Sequence, residues 1–392
     1  MNDHTSPSDN PPSVPELRRF SLVTYEDGMR MQELLVRLRQ DARIPDQLLV
    51  LQHPHVFTLG RRAKADHILA NDALRRYWDV QVYESIRGGD VTYHGPGQLV
   101  IYPILSLPIP RQDVGKYVRD LEEVMIRTVA EYGITAGRIE GLSGTWVDGN
   151  KIGAIGVRMA RWVTSHGMAL NVNTDLRYFD LIVPCGIRDH GVTSLQKLLG
   201  RRVDEQEVQA KLIHHFEQVF GMGFEPRGMQ LRSIQAVVYR RRQEAARSVL
   251  EVLVLRRTPE KGGFWQPVTG RIESGEPPPA AALREVQEET GLSGVLTDLD
   301  FVHQFMIEPE LLGPHAPTPY LCEEHSFAVE VSDEATVRLE AGAHDAFEWL
   351  PIADAAARVR WSGNRDGIGK LERRLSPPEP VSFDPFGPGA AL

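Results

Sequence analysis

The sequence predicts an α/β (α+β) two-domain protein, a mixed-sheet domain followed by a second, smaller α/β unit. Two observations carry this. At 392 residues the chain is roughly two to three times the common single-domain size. Short β-rich runs and amphipathic helical patterns also alternate on both sides of a Gly/Pro-rich connection, FGMGFEPRGMQLRS, at residues 220–233. The boundaries that follow are a tail at 1–16, a first domain at 17–222, a linker at 223–232, a second domain at 233–372 and a tail at 373–392.

In chain order, the first sixteen residues are rich in Pro, Ser, Asn and Asp and cannot bury enough apolar area to order themselves. LLVLQHPHVFTLG, VTYHGPGQLVIYPILSL, KIGAIGVRMA and HGMALNVN then read as short strands punctuated by Gly and Pro. Between them Val114, Val118, Leu121, Met125, Val129 and Tyr132 recur at three- and four-residue steps and predict a core-facing helical stripe. A helix over Asp204 to Phe220 closes the domain. IQAVVYRR and SVLEVLVLRR restart strand patterns near residue 233, and SPPEPVSFDPFGPGAAL at the C-terminus is again a compositional tail.

Composition excludes several classes. Hydrophobic residues at 42% and charged residues at 25% lie in the globular range and exclude wholesale disorder. No apolar run is long enough to span a bilayer, and the stretch Leu99 to Leu107 is broken by proline. The start, MNDHTSPSDNPPSVPE, lacks a basic region followed by an apolar one, so a cytoplasmic location is expected. A net charge of -9 argues against a nucleic-acid partner. Cys185 and Cys322 stand far apart in sequence, so each is expected to be a thiol in a reducing compartment, Cys322 as a small buried one.

In the second half, GRIESGEPPPAAALREVQEETGL satisfies the frame G-x5-E-x7-R-E-U-x-E-E-x-G-U with Gly270, Glu276, Arg284, Glu285, Val286, Glu288, Glu289, Gly291 and Leu292. Glu285, Glu288 and Glu289 stand at i, i+3 and i+4, so three carboxylates share one helical face. A lone ExxEE would read as a solvated acidic face, but the complete loop-and-helix frame argues for a hard divalent cation among those oxygens. Pro277, Pro278 and Pro279 fit only before or within a helix's first turn, and Gly291 supplies its exit. This segment resembles the Nudix hydrolases over about residues 232–372. The resemblance implies a Nudix α/β/α sandwich that cleaves a diphosphate linked to another moiety, with Mg2+ (or Mn2+) as cofactor. It makes Glu285, Glu288, Glu289 and the more distal Glu324 metal ligands, one box glutamate serving as a base through the metal, with Gly270, Glu276 and Arg284 in support. FWQPVTGRIESGE, EEHSFAVEV and FEWLP look most like the dihydroneopterin triphosphate and dATP pyrophosphohydrolase branch, which implies a nucleoside or pterin polyphosphate substrate.

In the first half, Cys185 in VPCGI is flanked by a rigid proline and a permissive glycine. Alone it reads as a structural hydrophobe, and Lys151 in NKIGAIGVR equally as a hairpin lysine, unless the two meet. RGGDVTYHGPGQLV suits a loop wrapped around a ligand. Together RGGDVTYHGPGQ, KIGAIGVR, SHGMALNVN and PCG, in that order, resemble the octanoyltransferases of lipoate biosynthesis, relatives of the biotin and lipoate ligases, over roughly residues 20–222. HPHVFTLGRR near His53 fits the same family. The resemblance implies a biotin/lipoate ligase-like mixed-sheet domain. Its activity would be octanoyl transfer from octanoyl-acyl carrier protein to a lysine on lipoyl domains of 2-oxoacid dehydrogenases and the glycine cleavage H protein, without a cofactor, ATP or a membrane. Cys185 would carry the acyl group as a thioester while Lys151 favours the thiolate and shuttles protons. Arg87, Gly88, Gly89, Asp90, Val91, Thr92, Tyr93 and His94 would line the substrate channel. Ala154, Ile155, Gly156, Gly167, Met168 and Ala169 would flank the acyl chain. His94 and His166 are open between a base and a loop-holding role, and Arg61, Arg62, Lys64 and Arg87 are candidates for docking an acidic carrier. Two alternatives stand beside this: an ATP-dependent lipoate or biotin ligase, or one half acting as a non-catalytic binding module.

Overall fold

Two-residue alternation in the central strands lets one sheet bury apolar side chains on both of its faces, and this organises each half of the chain. The computed structural model describes residues 14–183, 190–244, 247–309, 318–340 and 342–375. Most of both expected tails, and the segment carrying Cys185, lie outside the described residues. The chain divides into two compact units, one ending at Gln230 and including Gln304–Leu321, the other comprising Leu231–His303 and the chain from Cys322 onward. No helix among the described residues is long and apolar enough to cross a membrane.

The first unit runs β1 (Glu16–Leu22), α1 (Tyr25–Gln40), β2 (Gln47–Gln52), β3 (Val56–Leu59), α2 (Asp72–Tyr77), β4 (Gln81–Glu84), β5 (Val91–His94), β6 (Gln98–Ile104), α3 (Val114–Ala130), β7 (Gly137–Ile139), β8 (Leu142–Val147), β9 (Asn150–Ala160), β10 (Val163–Asn171), α4 (Leu195–Leu199), α5 (Glu205–Phe220) and β11 (Glu225–Pro226). The main sheet has the order β11-β1-β2-β6-β10-β9-β8-β7, and β4-β3-β5 form a smaller one. Leu48, Val50, Leu99 and Ile101 face α3 and α5, while the alternate positions Leu49, Leu51, Val100 and Tyr102 pack with Leu34, Leu35 and Leu38 of α1. Asp113 and Asp204 cap α3 and α5 by accepting from Lys116 N and Gln206 N, and Gly221, at φ +66, ends α5.

The α3 stripe is centred differently from its sequence reading. Leu121, Met125 and Val129 are buried as expected, but Val114 is exposed in the first turn, and Tyr117 and Val124 fill the face. Within the 223–232 connection, Glu225–Pro226 pair in parallel with β1.

Beyond Gln230 the chain forms β12 (Leu231–Glu244), β13 (Arg247–Arg257), β14 (Trp265–Gln266), β15 (Val268–Arg271), α6 (Pro278–Thr290), β16 (Val295–Ile307), β17 (Tyr320–Glu330), β18 (His344–Pro351), α7 (Ile352–Arg358) and α8 (Ser362–Leu375). Ile234, Ala236 and Val238 of β12 pack with Ala281, Ala282 and Val286 of α6. Val237 and Tyr239, one step out of phase, pack with Ala355, Ile368 and Leu371 of α7 and α8. The helix–sheet–helix layering of the expected sandwich follows from that alternation.

Phe216 is fully buried and stacks on Phe220 with ring centroids 4.2 Å apart. Phe216→Ala is expected to cost about 3–5 kcal/mol in denaturant unfolding; an unchanged midpoint would remove Phe216 from the core.

Candidate active sites

In the first unit, a buried guanidinium shapes a loop into a wall. Arg87 precedes β5, and its Nη2 donates to Thr58 O at 2.6 Å, Thr58 Oγ1 at 2.8 Å and Asp90 O at 2.8 Å, while Nη1 donates to Gly88 O at 3.0 Å. The close fit requires glycine opposite: a Cβ on Gly60 would stand 2.5 Å from Gly89 O, and one on Gly156 would stand 2.9 Å from Arg87 Cδ. Asp90 accepts from Val91 N at 2.7 Å and meets His67 Nδ1 at 2.9 Å.

This wall closes a cavity of about 440 Å³ that Lys151, Arg87, Gly89, Asp90, Thr92 and His94 line together with Ala154, Ile155, Gly156, Gly167, Met168 and Ala169. The last six form three cross-strand pairs between β9 and β10, Ala154 with Ala169, Ile155 with Met168 and Gly156 with Gly167. Three residues of the expected channel do not line it. Val91 and Tyr93 alternate with Thr92 and His94 along β5, so they point into the aromatic cluster of Phe57, Tyr178 and Phe179 instead. Gly88 donates its N–H to Val157 O at 3.1 Å and joins the loop to β9.

Lys151 is nearly buried, with Nζ 4.6 Å from the centre of the Trp146 ring. Its backbone N–H donates to Gly191 O and its carbonyl accepts from Thr193 N. On the other flank of the segment outside the described residues, Val183 N donates to His67 O at 2.8 Å. Lys151 and His67 both line the cavity. Arg61, Arg62 and Lys64 are exposed, and the latter two reach the cavity wall. Arg87 does not belong to that surface patch, because it is buried under its own hydrogen bonds.

The sequence did not single out Tyr25, Tyr102, His67 or Gly141–Ser143, which also line the cavity. Tyr102 lies in a strand read only for its pattern, and its hydroxyl meets His53 Nε2 at 2.7 Å. Only the third dimension brings α1 and the β7–β8 turn alongside. Burial depresses the surrounding imidazoles: His53 to about 4, His166 to about 3 with the Arg87 charge adding to the effect, and His94 well below its usual value, with His53 and Arg87 contributing. Each of these imidazoles is therefore neutral near pH 7.

In the second unit, α6 begins at Pro278 after Pro277 and ends at Gly291, φ +69. Arg284 gathers the acidic face: Nε and Nη2 meet the two Glu276 oxygens at 2.9 and 3.0 Å, and Nη1 donates to Glu285 Oε1 at 2.8 Å and Glu288 Oε2 at 2.9 Å. Those bonds hold the Glu276 carboxyl down to about 2. A Cβ on Gly270 would stand 1.8 Å from Glu285 Cδ, so any larger residue there would displace that carboxylate. Glu289 is buried, its carboxyl pushed up to about 8 by desolvation and then by Glu285, and its Oε2 has no hydrogen-bond partner among the described residues. Glu324, on β17, is in register with Ser233, which pairs with Arg271 on its other side. Cys322 is buried, its thiol pushed up to about 12 chiefly by desolvation.

Among the described residues no three His, Cys, Asp or Glu side chains converge on one point. The donor chemistry nonetheless fits a hard cation: carboxylate oxygens clustered on one face, one of them buried and orphaned, an arrangement costly unless a cation fills it.

The depressed histidines make the first unit acid-sensitive. The folded chain keeps His53 and His166 neutral while the unfolded chain protonates them below about pH 6.5, so stability falls as pH drops from about 6.5 towards 4. Denaturant unfolding at a series of pH values checks this; a flat profile across that window would contradict it.

Residues 24–217 match the family model described as lipoyl protein ligase A/B catalytic domain, and residues 229–368 match the NUDIX domain. The octanoyltransferase of Myxococcus xanthus is 47% identical over 356 residues, covering 89% of this chain and 97% of the relative, so the likeness runs through both units. That of Solibacter usitatus is 49% identical over 204 residues, covering 52% of this chain and 92% of the relative. Among solved structures, the dihydroneopterin triphosphate pyrophosphohydrolase of E. coli is 31% identical and covers 36% of this chain and 95% of that one, with a TM-score of 0.31. The chain belongs to the octanoyltransferase family, with a lipoyl protein ligase A/B catalytic domain followed by a NUDIX domain.

Proposed function

We propose that the first unit transfers an octanoyl group from octanoyl-acyl carrier protein to a lysine of lipoyl domains. Cys185 exchanges for the carrier's sulfur on the thioester carbonyl, and the carrier leaves as its thiol. The lysine amine of the lipoyl domain then displaces Cys185, forming the amide, and its surplus proton passes through Lys151 to the departing sulfur. The first step exchanges one thioester for another and the second makes a more stable amide, so no ATP is consumed. The observation that carries this reading is the cavity that gathers Lys151 with the Arg87 loop and the Ala154–Gly156 and Gly167–Ala169 pairs. Further support is that both flanks of the segment containing Cys185 are bonded to cavity residues, Val183 to His67 and Gly191 to Lys151. Exposed Arg62 and Lys64 at the wall suit an acidic carrier.

The second unit is proposed to be a metal-dependent pyrophosphohydrolase acting on a nucleoside- or pterin-type polyphosphate. Glu285, Glu288 and Glu289, with Glu324, would hold Mg2+ or Mn2+, which supplies charge neutralisation of the substrate phosphates and activation of water. The chain's own contribution is Arg284, which aligns Glu285 and Glu288, and the close Gly270 loop, which leaves room for the Glu285 carboxylate.

Intact-protein mass spectrometry with octanoyl-acyl carrier protein, without ATP, tests the first activity. An octanoyl adduct is expected that is absent from Cys185→Ser and disappears as an apo lipoyl domain gains the same mass. Transfer only from free octanoate plus ATP would instead indicate a ligase. Lys151→Ala is expected to lower transfer by about 100-fold or more, the usual scale for removing a proton-transfer group. For the second unit, Glu288→Gln and Glu289→Gln should abolish pyrophosphate release in the presence of Mg2+ and leave octanoyl transfer intact; loss of both activities together would overturn the assignment of two separate sites.

A further inference from the structure

A hydrogen-bond relay that ends at the cavity of the first unit has its polarity fixed by its ends. Asn171 Nδ2 donates to Thr193 O at 3.0 Å. A backbone carbonyl only accepts, so Asn171 must present its amide nitrogen there and its Oδ1 to Gln98, whose Nε2 donates to it at 2.9 Å. Gln98 Nε2 also donates to Tyr93 O at 3.2 Å, a second acceptor-only group. Gln98 Oε1 is thereby left facing His94 Nδ1 at 2.7 Å, and the proton of that bond must sit on Nδ1. In a neutral imidazole this leaves Nε2 with a bare lone pair. The same relay touches the lysine strand, since Thr193 N donates to Lys151 O.

Several other polar groups of the wall are engaged. All three guanidinium nitrogens of Arg87 donate to protein oxygens. The Tyr102 hydroxyl meets His53, and Asp90 meets His67 and Val91 N. His166 Nε2 has no hydrogen-bond partner among the described residues and is itself fully buried. His94, which lines the cavity, makes no hydrogen bond at Nε2 to any described residue. We infer that Gln98 and Asn171 are positioning residues that hold His94 as an obligate hydrogen-bond acceptor in the cavity, where His94 Nε2 takes an N–H of the attacking lysine amine. Resting on the transfer reading above, this gives the nucleophile an oriented acceptor beside the Arg87 guanidinium, and directs the amine's own lone pair towards the acyl carbon.

The groups facing His94 keep it in that state. His53 and His166 are neutral by burial, Arg87 is cationic, and the Tyr25 ring stacks at 6.2 Å, so none of them favours an imidazolium. A carboxylate in place of Gln98 would reverse this by stabilising Nδ1–H and, with it, protonation at Nε2.

The test is nitrogen-15 NMR of histidine-labelled full-length chain, with the His94 signals assigned by their loss in His94→Asn, combined with transfer kinetics. Expected are signals of an Nδ1–H imidazole that does not titrate between about pH 5.5 and 8. Gln98→Met should mix in the Nε2–H tautomer and lower kcat about 10- to 100-fold, the range usual for groups that orient a reacting side chain, with KM for the acyl donor unchanged. Gln98→Glu should introduce an acidic limb in kcat that the parent lacks and that follows the new His94 titration; a merely structural glutamine would not create one. An Nε2–H tautomer in the parent, or a protonated His94 in Gln98→Glu without loss of rate, overturns the inference. A parent that transfers nothing overturns the amine contact along with the transfer reading, while the NMR decides the relay independently.

Discussion

The buried Arg87 guanidinium is the constraint on which the first unit's cavity depends. A charge withdrawn from water costs several kcal/mol unless protein oxygens replace its hydration. Thr58, Gly88 and Asp90 supply those oxygens, and doing so folds the Arg87–Asp90 loop against β3. The demand spreads outward. Gly60 and Gly156 have to lack side chains so that the loop can approach, and Gly88 bonds to β9. The β9–β10 pairs are thus held opposite β5, with Thr92 and His94 facing the cavity. The glycines at 60 and 156 and the path of the loop answer that one electrostatic requirement.

Arg284 meets a related requirement in the second unit by a different route. Three carboxylates on neighbouring turns repel, and its side chain bridges Glu276, Glu285 and Glu288 across the loop and helix. Glu289 is left outside this bridge, buried with an orphaned oxygen. Arg284 therefore fixes where two acidic groups sit without satisfying the third, which is what a cation-binding cluster requires of its support. The two units differ in the sign of the group being organised: in one a cation is solvated by carbonyls and a hydroxyl, in the other anions are gathered for a further cation.

Much of the fold was legible because it is written in short-range periodicity. The alternation of Leu48–Leu51 and of Ile234–Tyr239 specifies sheets buried on both faces, and Asp204 and Gly221 mark the ends of α5. The box helix was readable down to its proline start and glycine exit. Where the structure departs from the spacing, the cause is geometric: Val114 lies on the stripe's face but in a first turn that the core does not cover, and a strand sends alternate residues of the Arg87–His94 run to opposite faces.

The sequence by itself determined the chemical inventory: which segments carry a lysine, a thiol, a glutamate box and glycine-rich loops, and in what order. Spacing along the chain encodes helix faces and strand alternation, because these depend only on neighbours a few residues away. Tertiary structure alone decided which of those groups share a cavity. It brought Tyr25 and Tyr102 to the wall, turned Val91 and Tyr93 away, buried Arg87 instead of leaving it on a docking surface, and set the Thr193–Asn171–Gln98–His94 relay. Those outcomes depend on strand register and on the requirement that buried polar groups find partners from distant parts of the chain, and neither is recorded in local sequence.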